Sequence, residues 1–169
     1  MEQSNNKFKL KDKLFSFYSN NKLKIYLFFL IILLIFISTI FLKMSAEKKN
    51  ILISEKYIQA GLYLSSNINK EKSINLYEEI IISKNKFYSI LALNTILEKD
   101  LILDKSKILN YFKVVEEIKK TQEQNDILIF KKALYLKKIS KNSEGDKLLK
   151  NLIDQNSKIK LLAEEILAK

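Results

Sequence analysis

Hydrophobic and polar positions follow two regimes along this chain. From Ile25 to Leu42 the sequence reads IYLFFLIILLIFISTIFL, with no charge and only Ser38 and Thr39 clearly polar. Eighteen residues at about 1.5 Å each make about 27 Å of helix, close to the hydrocarbon thickness of a bilayer. A helix apolar on every face would have to be surrounded if it were a core helix, and a chain this short cannot surround it. The run is longer than the apolar part of a cleaved signal peptide. It ends in Phe41-Leu42-Lys43-Met44, without small residues at a cleavage site. The pattern predicts an uncleaved signal anchor over residues 25–42.

After Ala46 the apolar residues recur at three and four. Tyr57, Ala60, Gly61 and Leu64 share one helical face. A polar break follows at Asn67-Ile68-Asn69-Lys70, and a second run from about Glu71 carries Ile74, Tyr77, Ile80 and Ile81. The scheme returns later: Ile129, Ala133 and Leu136, a break at Lys141-Asn142-Ser143, then Leu148, Leu149, Leu152 and Ile153. Between the two lie a helix over 87–99 (FYSILALNTILEK, with Tyr88, Leu91, Ala92 and Thr95) and another over 104–120, with Ile108, Tyr111, Phe112 and Val115. Residues 157–169, with Leu161, Leu162, Ile166 and Leu167, predict a capping helix. Nothing reads as a strand. The fold class is all-α: one transmembrane helix, about three helical hairpins and a C-terminal cap.

The two outer hairpins are related. GLYL at 61–64 returns as ALYL at 133–136, 72 residues on, which is twice 36 and near the 34-residue period of tetratricopeptide repeats. Twelve residues after Gly61 stands Ser73; twelve after Ala133 stands Gly145. Four and seven further come Tyr77 and Ile80, then Leu149 and Leu152. This spacing resembles the tetratricopeptide motif, which places small residues where the paired helices approach. The resemblance assigns Gly61, Ser73, Tyr77, Ala92, Ala133 and Gly145 to repeat packing. It is degenerate: Tyr57 and Ile129 stand where the motif has Trp, and there is no terminal Pro.

Composition removes options. All 30 basic residues are Lys, and Arg, His, Cys, Pro and Trp are absent. Without Cys there is no disulfide, thiolate or zinc-finger spacing; without His the commonest general base and metal ligand is missing. Without Arg there is no fork for phosphate or guanine. Of the net charge of +11, residues 43–169 carry 24 Lys against 17 acids, +7, spread with both signs interleaved, unlike a nucleic-acid patch. The pairs Glu78-Glu79, Glu116-Glu117 and Glu164-Glu165 diverge by about 100° on a helix and cannot act as a carboxylate pair. They read as solvated surface, as do Lys119-Lys120, Lys131-Lys132 and Lys137-Lys138. No phosphate loop, metal cluster or nucleophile motif is present. The expectation is a non-enzymatic protein with no cofactor, no metal and no nucleic-acid partner.

Charge also orients the anchor. Residues 1–24 carry six Lys against Glu2 and Asp12, and the stretch after the anchor has Lys43, Lys48, Lys49 and Lys56. By the positive-inside rule residues 1–24 are a cytoplasmic segment, 25–42 the anchor in the lipid bilayer, and 43–169 a repeat domain across the membrane. Within the basic segment, KFKLKDKLFSFY (7–18) places Leu10, Leu14, Phe17 and Tyr18 at helical spacing. It reads as an interfacial helix or as a disordered tail serving topology alone.

The layout of basic N-terminus, single anchor and short degenerate repeat domain resembles the tetratricopeptide-like family of ancillary Sec translocon subunits. The segments YIQAGLYL, KEKSINLYEEI, FYSILALNTIL, FKKALYLKKI and EGDKLLKNLI carry the likeness. The resemblance implies a bacterial inner-membrane protein with a periplasmic domain. Its partners would be the translocon, exported polypeptides or periplasmic chaperones. In stacked hairpins the first helices line the concave face. By the repeat register Ile58, Leu62, Ser65, Leu93, Ile96, Phe130, Leu134 and Lys137 would face that groove, unless the hairpins close into a bundle with these residues as core. An envelope assembly or division scaffold would share the fold, and a reversed topology would make a cytoplasmic adaptor.

Overall fold

Asn69, Asp104 and Thr121 each open a helix by the same device: a side-chain oxygen accepts a backbone N–H that the first turn leaves without a partner. Asn69 takes the N–H of Lys72 at 2.9 Å. Asp104 takes those of Ser106 and Lys107 at 2.9 and 3.1 Å. Thr121 forms a reciprocal capping box with Gln124. The computed structural model describes residues 2–66 and 69–168, and among these every regular element is an α-helix. They are α1 (Glu2–Ser65), α2 (Lys70–Ile82), α3 (Tyr88–Glu98), α4 (Lys105–Glu116), α5 (Gln122–Lys138), α6 (Asn142–Asp154) and α7 (Lys160–Leu167). The break expected at Asn67-Ile68, the side chains of Leu10 and Leu14 and the terminal Lys169 fall outside the described residues.

Helix ends are made without the usual residues. The chain has no Pro and two Gly, and neither Gly closes a helix. Lys84, Asp100, Ser140 and Asn156 instead adopt φ of 54°, 46°, 68° and 51°, each just past a helix. After α5, Ser140 N–H donates to the Lys137 carbonyl and Lys141 N–H to that of Leu136. After α6, Asn156 and Ser157 do the same with Ile153 and Leu152. This is Schellman closure with a side chain where glycine is at ease.

The chain divides into two units, Met1–Lys49 and Asn50–Lys169. The first is helical throughout its described residues, including the basic stretch 7–18, as part of α1. Its apolar window has a mean hydropathy of 2.7 and none of it is buried. By length and composition this helix can serve as a single membrane anchor or a signal sequence.

In the second unit α2 packs on α3, α5 on α6 and α7 on α6 most extensively; α4 rests more lightly on α2, α3 and α5, and the last turns of α1 are tied to α2. Close approach fixes two of these pairs. The buried Ser73 hydroxyl of α2 donates to the Ala60 carbonyl of α1 at 2.8 Å. On α6, a Cβ added to Gly145 would stand 2.8 Å from the Ala133 carbonyl of α5. The α1 partner is therefore Ala60, fully buried, and not the expected Gly61: hairpin one is offset by one residue from hairpin three. Four and seven residues on, Tyr77, Ile80, Leu149 and Leu152 are all buried, as the repeat spacing requires. Between these pairs Ala92 is buried, and Ser89 of α3 donates to the Ile80 carbonyl of α2 at 2.7 Å.

Two apolar cores result. One joins Tyr77, Ile80, Ile81, Ile96, Phe112 and Val115 with Leu128 and Tyr135 of α5. The other joins Ala133 of the same helix with Leu149, Leu152 and Ala163. The break after α5 lies at 139–141, because Asn142 and Ser143 already belong to α6. The cap is shorter than 157–169: Ser157 is buried in the preceding turn, its hydroxyl donating to the buried Asp126 carboxylate.

Candidate functional site: the row of first helices

First helices touch first helices. Between α1 and α3, the Tyr57 and Thr95 hydroxyls are 3.1 Å apart and Tyr88 Oη donates to Ser54 Oγ at 2.8 Å. From the turn before α3, the Asn85 amide donates to Asn50 Oδ1 at 2.7 Å. Between α3 and α5, Lys131 Nζ stands 3.5 Å from Glu98 Oε1, and Lys138 pairs with Asp100 just past α3. On the other side, α2 meets α4 through Lys107–Glu78 and Lys84–Glu117, both at 2.5 Å. The end of α1, then α3, then α5 thus form one row, backed by α2 and α4.

Two hollows open along that row. One, of about 590 Å³, lies between α1, α2 and α3; Tyr57, Gly61, Leu64, Tyr77, Thr95 and Leu101 line it, with exposed Ser65, Lys70 and Lys99 at its edge. The Tyr57 and Tyr77 rings meet edge to face at 5.6 Å. Burial, then the neighbouring Tyr57, holds the Tyr77 hydroxyl above its ordinary pKa. Gly61 contributes by having no side chain: a Cβ there would meet only Tyr77 Oη, at 3.7 Å, an ordinary contact. The other hollow, about 260 Å³, lies between α3 and α5, with Leu97, Leu134 and Tyr135 as walls and Glu98, Lys131 and Lys138 around them. Burial foremost, then Asp104 and Asp100, raises the pKa of Tyr135.

The expected groove residues divide. Ile58 and Leu62 are 59% and 63% exposed, Ser65 is exposed beside the first hollow, and Leu134 is exposed in the second. Leu93 and Ile96 are corrected to core: they are 1% and 0% exposed, and Leu97 and Glu98 take their place in the row. Helix α3 is apolar around most of its circumference, so periodicity cannot select its outer face. Phe130 is half-buried against the second core. Lys137 turns to α6 and pairs with Asp146 at 2.6 Å.

Among the described residues, four of the six charged doublets also form ion pairs between helices. Glu78 pairs with Lys107 and Glu79 with Lys56; Glu116 pairs with Lys132 and Glu117 with Lys84. The adjacent carboxylates diverge, as helical geometry requires, and each meets a lysine of another helix or turn. Lys131, Lys132, Lys137 and Lys138 tie α5 to Glu98, Glu116, Asp146 and Asp100 respectively. Only partner-by-partner pairing across helices, invisible in one sequence, would have revealed this.

Among the described residues there is no group of three or more acidic, His or Cys side chains that could hold a metal. The row offers apolar walls, recessed hydroxyls and ammonium groups at the edge. Such walls suit an apolar side chain. Comparison with protein-family models, curated proteins and solved structures gives no match for this chain.

Proposed function

We propose that this chain is a membrane-anchored, tetratricopeptide-like protein-interaction module. In this reading residues 25–42 cross the inner membrane, the N-terminus is cytoplasmic and the hairpins are periplasmic. There they act as an accessory to the Sec translocon, handing exported polypeptides to chaperones. The observation that supports a binding role is the exposure of Ile58 and Leu62 on α1 and of Leu134 in the hollow between α3 and α5. Large apolar side chains exposed on an otherwise charged surface favour a protein partner. The six-to-four lysine bias across the apolar run supports the orientation.

The test has two steps. A reporter fused to the C-terminus is expected to read out on the far side of the membrane; a cytoplasmic readout replaces this proposal with a cytoplasmic adaptor. A photo-crosslinking residue at Ile58, Leu62 or Leu134 is then expected to capture translocon subunits or chains in export, while one at Asn110 of α4 captures neither. Crosslinks to envelope assembly or division proteins alone would move the role to a scaffold.

A further inference from the structure

We propose that the α2–α3 turn of the hairpin unit docks on the lipid surface of the bilayer that holds the anchor. This rests on the anchor reading of residues 25–42. The turn SKNKF, residues 83–87, displays Phe87 at 60% exposure, and Ile82, the last residue of α2 before it, is 62% exposed. The turn is ordered. Asn85 Oδ1 accepts the N–H groups of both Phe87 and Tyr88 at 3.0 Å. The Asn85 amide is tied to Asn50 at 2.7 Å, and the Phe87 ring packs edge-on against Tyr88 at 5.1 Å.

The tie to Asn50 sets the reach. Asn50 follows Leu42, the end of the apolar run, by eight residues. Eight residues of chain reach at most about 28 Å, so the turn tied to Asn50 lies within reach of a headgroup layer about 5–8 Å deep. Charge agrees. The Lys84–Glu117 ion pair sets the α4–α5 turn beside this one. Together residues 83–87 and 117–121 hold Lys84, Lys86, Lys119 and Lys120 against Glu117 alone. Lysines around an exposed aromatic and an aliphatic residue fit an anionic headgroup layer, with the ring at the acyl boundary.

The chain has no Trp, so single tryptophans report position in the full chain reconstituted in phosphatidylcholine–phosphatidylglycerol vesicles carrying shallow nitroxide lipids. Phe87→Trp is expected to show blue-shifted emission and to lose most of its intensity to the nitroxide. Leu103→Trp, at the far end of α3 and 90% exposed in the native side chain, is expected to keep water-exposed emission. Phe36→Trp, within the apolar run, tests the anchor with deep nitroxide lipids. Quenching of Phe36→Trp without quenching of Phe87→Trp overturns the docking while leaving the anchor intact. Equal quenching at Phe87→Trp and Leu103→Trp also overturns it, because no end of the unit is then selected. An unquenched Phe36→Trp overturns the anchor reading and the docking with it. Loss of Phe87→Trp quenching on adding Lys84→Glu and Lys86→Glu supports the headgroup contact; unchanged quenching overturns the charge contribution.

Discussion

Gly145 on α6 lies so close to the Ala133 carbonyl of α5 that an added Cβ would stand 2.8 Å from that oxygen and equally near Lys137 Cγ. Gly61 has only Tyr77 Oη near, at 3.7 Å. Two glycines in helices thus have opposite expectations. Gly145→Ala should destabilise the hairpin unit by about 1–3 kcal/mol through overpacking against backbone. Gly61→Ala should be neutral or stabilising by up to about 1 kcal/mol from helix propensity. Urea unfolding of the detergent-solubilised chain checks both, and equal effects of the two would reject the one-residue offset between hairpins.

Ser140 closes α5 at φ 68° with an exposed side chain. Left-handed backbone costs an L-residue about 1–2 kcal/mol, part of which glycine returns as extra freedom in the unfolded chain. Ser140→Gly should therefore raise stability by about 0.5–1 kcal/mol. Asn156→Gly should gain less, since Asn tolerates this region. A rise in thermal midpoint for Asn156→Gly larger than for Ser140→Gly would contradict this account of the caps.

Ser73 and Ser89 each join a buried hydroxyl to a carbonyl of the preceding helix. The Ala60 carbonyl sits within α1 and the Ile80 carbonyl also accepts the Ser83 hydroxyl, so each Ser→Ala removes one bond and strands no N–H donor. Each replacement should cost about 0.5–1.5 kcal/mol. Ser73→Val adds bulk at the closest approach of α1 and α2, and its unfolding midpoint should fall further than that of Ser73→Ala.

Asp104 caps α4, and its carboxyl is held below its ordinary pKa by the Ser106 hydroxyl first, then by the Lys107 and Ser106 backbone. A lowered folded-state pKa means the cap stabilises fully above the unfolded value of about 3.9, and the contribution is lost as pH falls through the folded value. Asp104→Asn keeps an acceptor and cannot titrate. Its unfolding midpoint should depend less on pH in the acid limb than the parent's, measured by circular dichroism across that range.

At the alkaline end Tyr111 is the counterpart. Burial, then the charge of Glu78, raises its pKa well above the ordinary tyrosine value. A raised folded-state pKa gives stability that is whole below about 10 and is lost as pH climbs from there towards the folded value. Tyr111→Phe should flatten that limb. An unchanged alkaline profile would mean Tyr111 opens to solvent before it ionises.

Much of the architecture was legible because it rests on burial periodicity. Tyr77, Ile80, Leu149 and Leu152 occupy the core positions that the repeat spacing gave them, and the helices over 87–99 and 104–120 differ from α3 and α4 mainly at their ends. The offset at Ala60 was not legible, since Ala60 and Gly61 are adjacent and both small. Helix ends were hard to place because Lys84, Asp100 and Ser140 do what Gly does elsewhere, and none of the three announces a turn. At the candidate site Ile58, Leu62 and Leu134 are exposed, while Leu93 and Ile96 are buried. A helix apolar on most sides leaves its burial to be decided by neighbours.

Helix α5 gives Leu128 and Tyr135 to one core and Ala133 to the other. It is a party wall between two rooms, and its four lysines bolt it to both. A push on exposed Leu134 would act on a wall that both cores share. The rigidity of the two rooms is held in common: neither can be loosened at α5 without the other giving way.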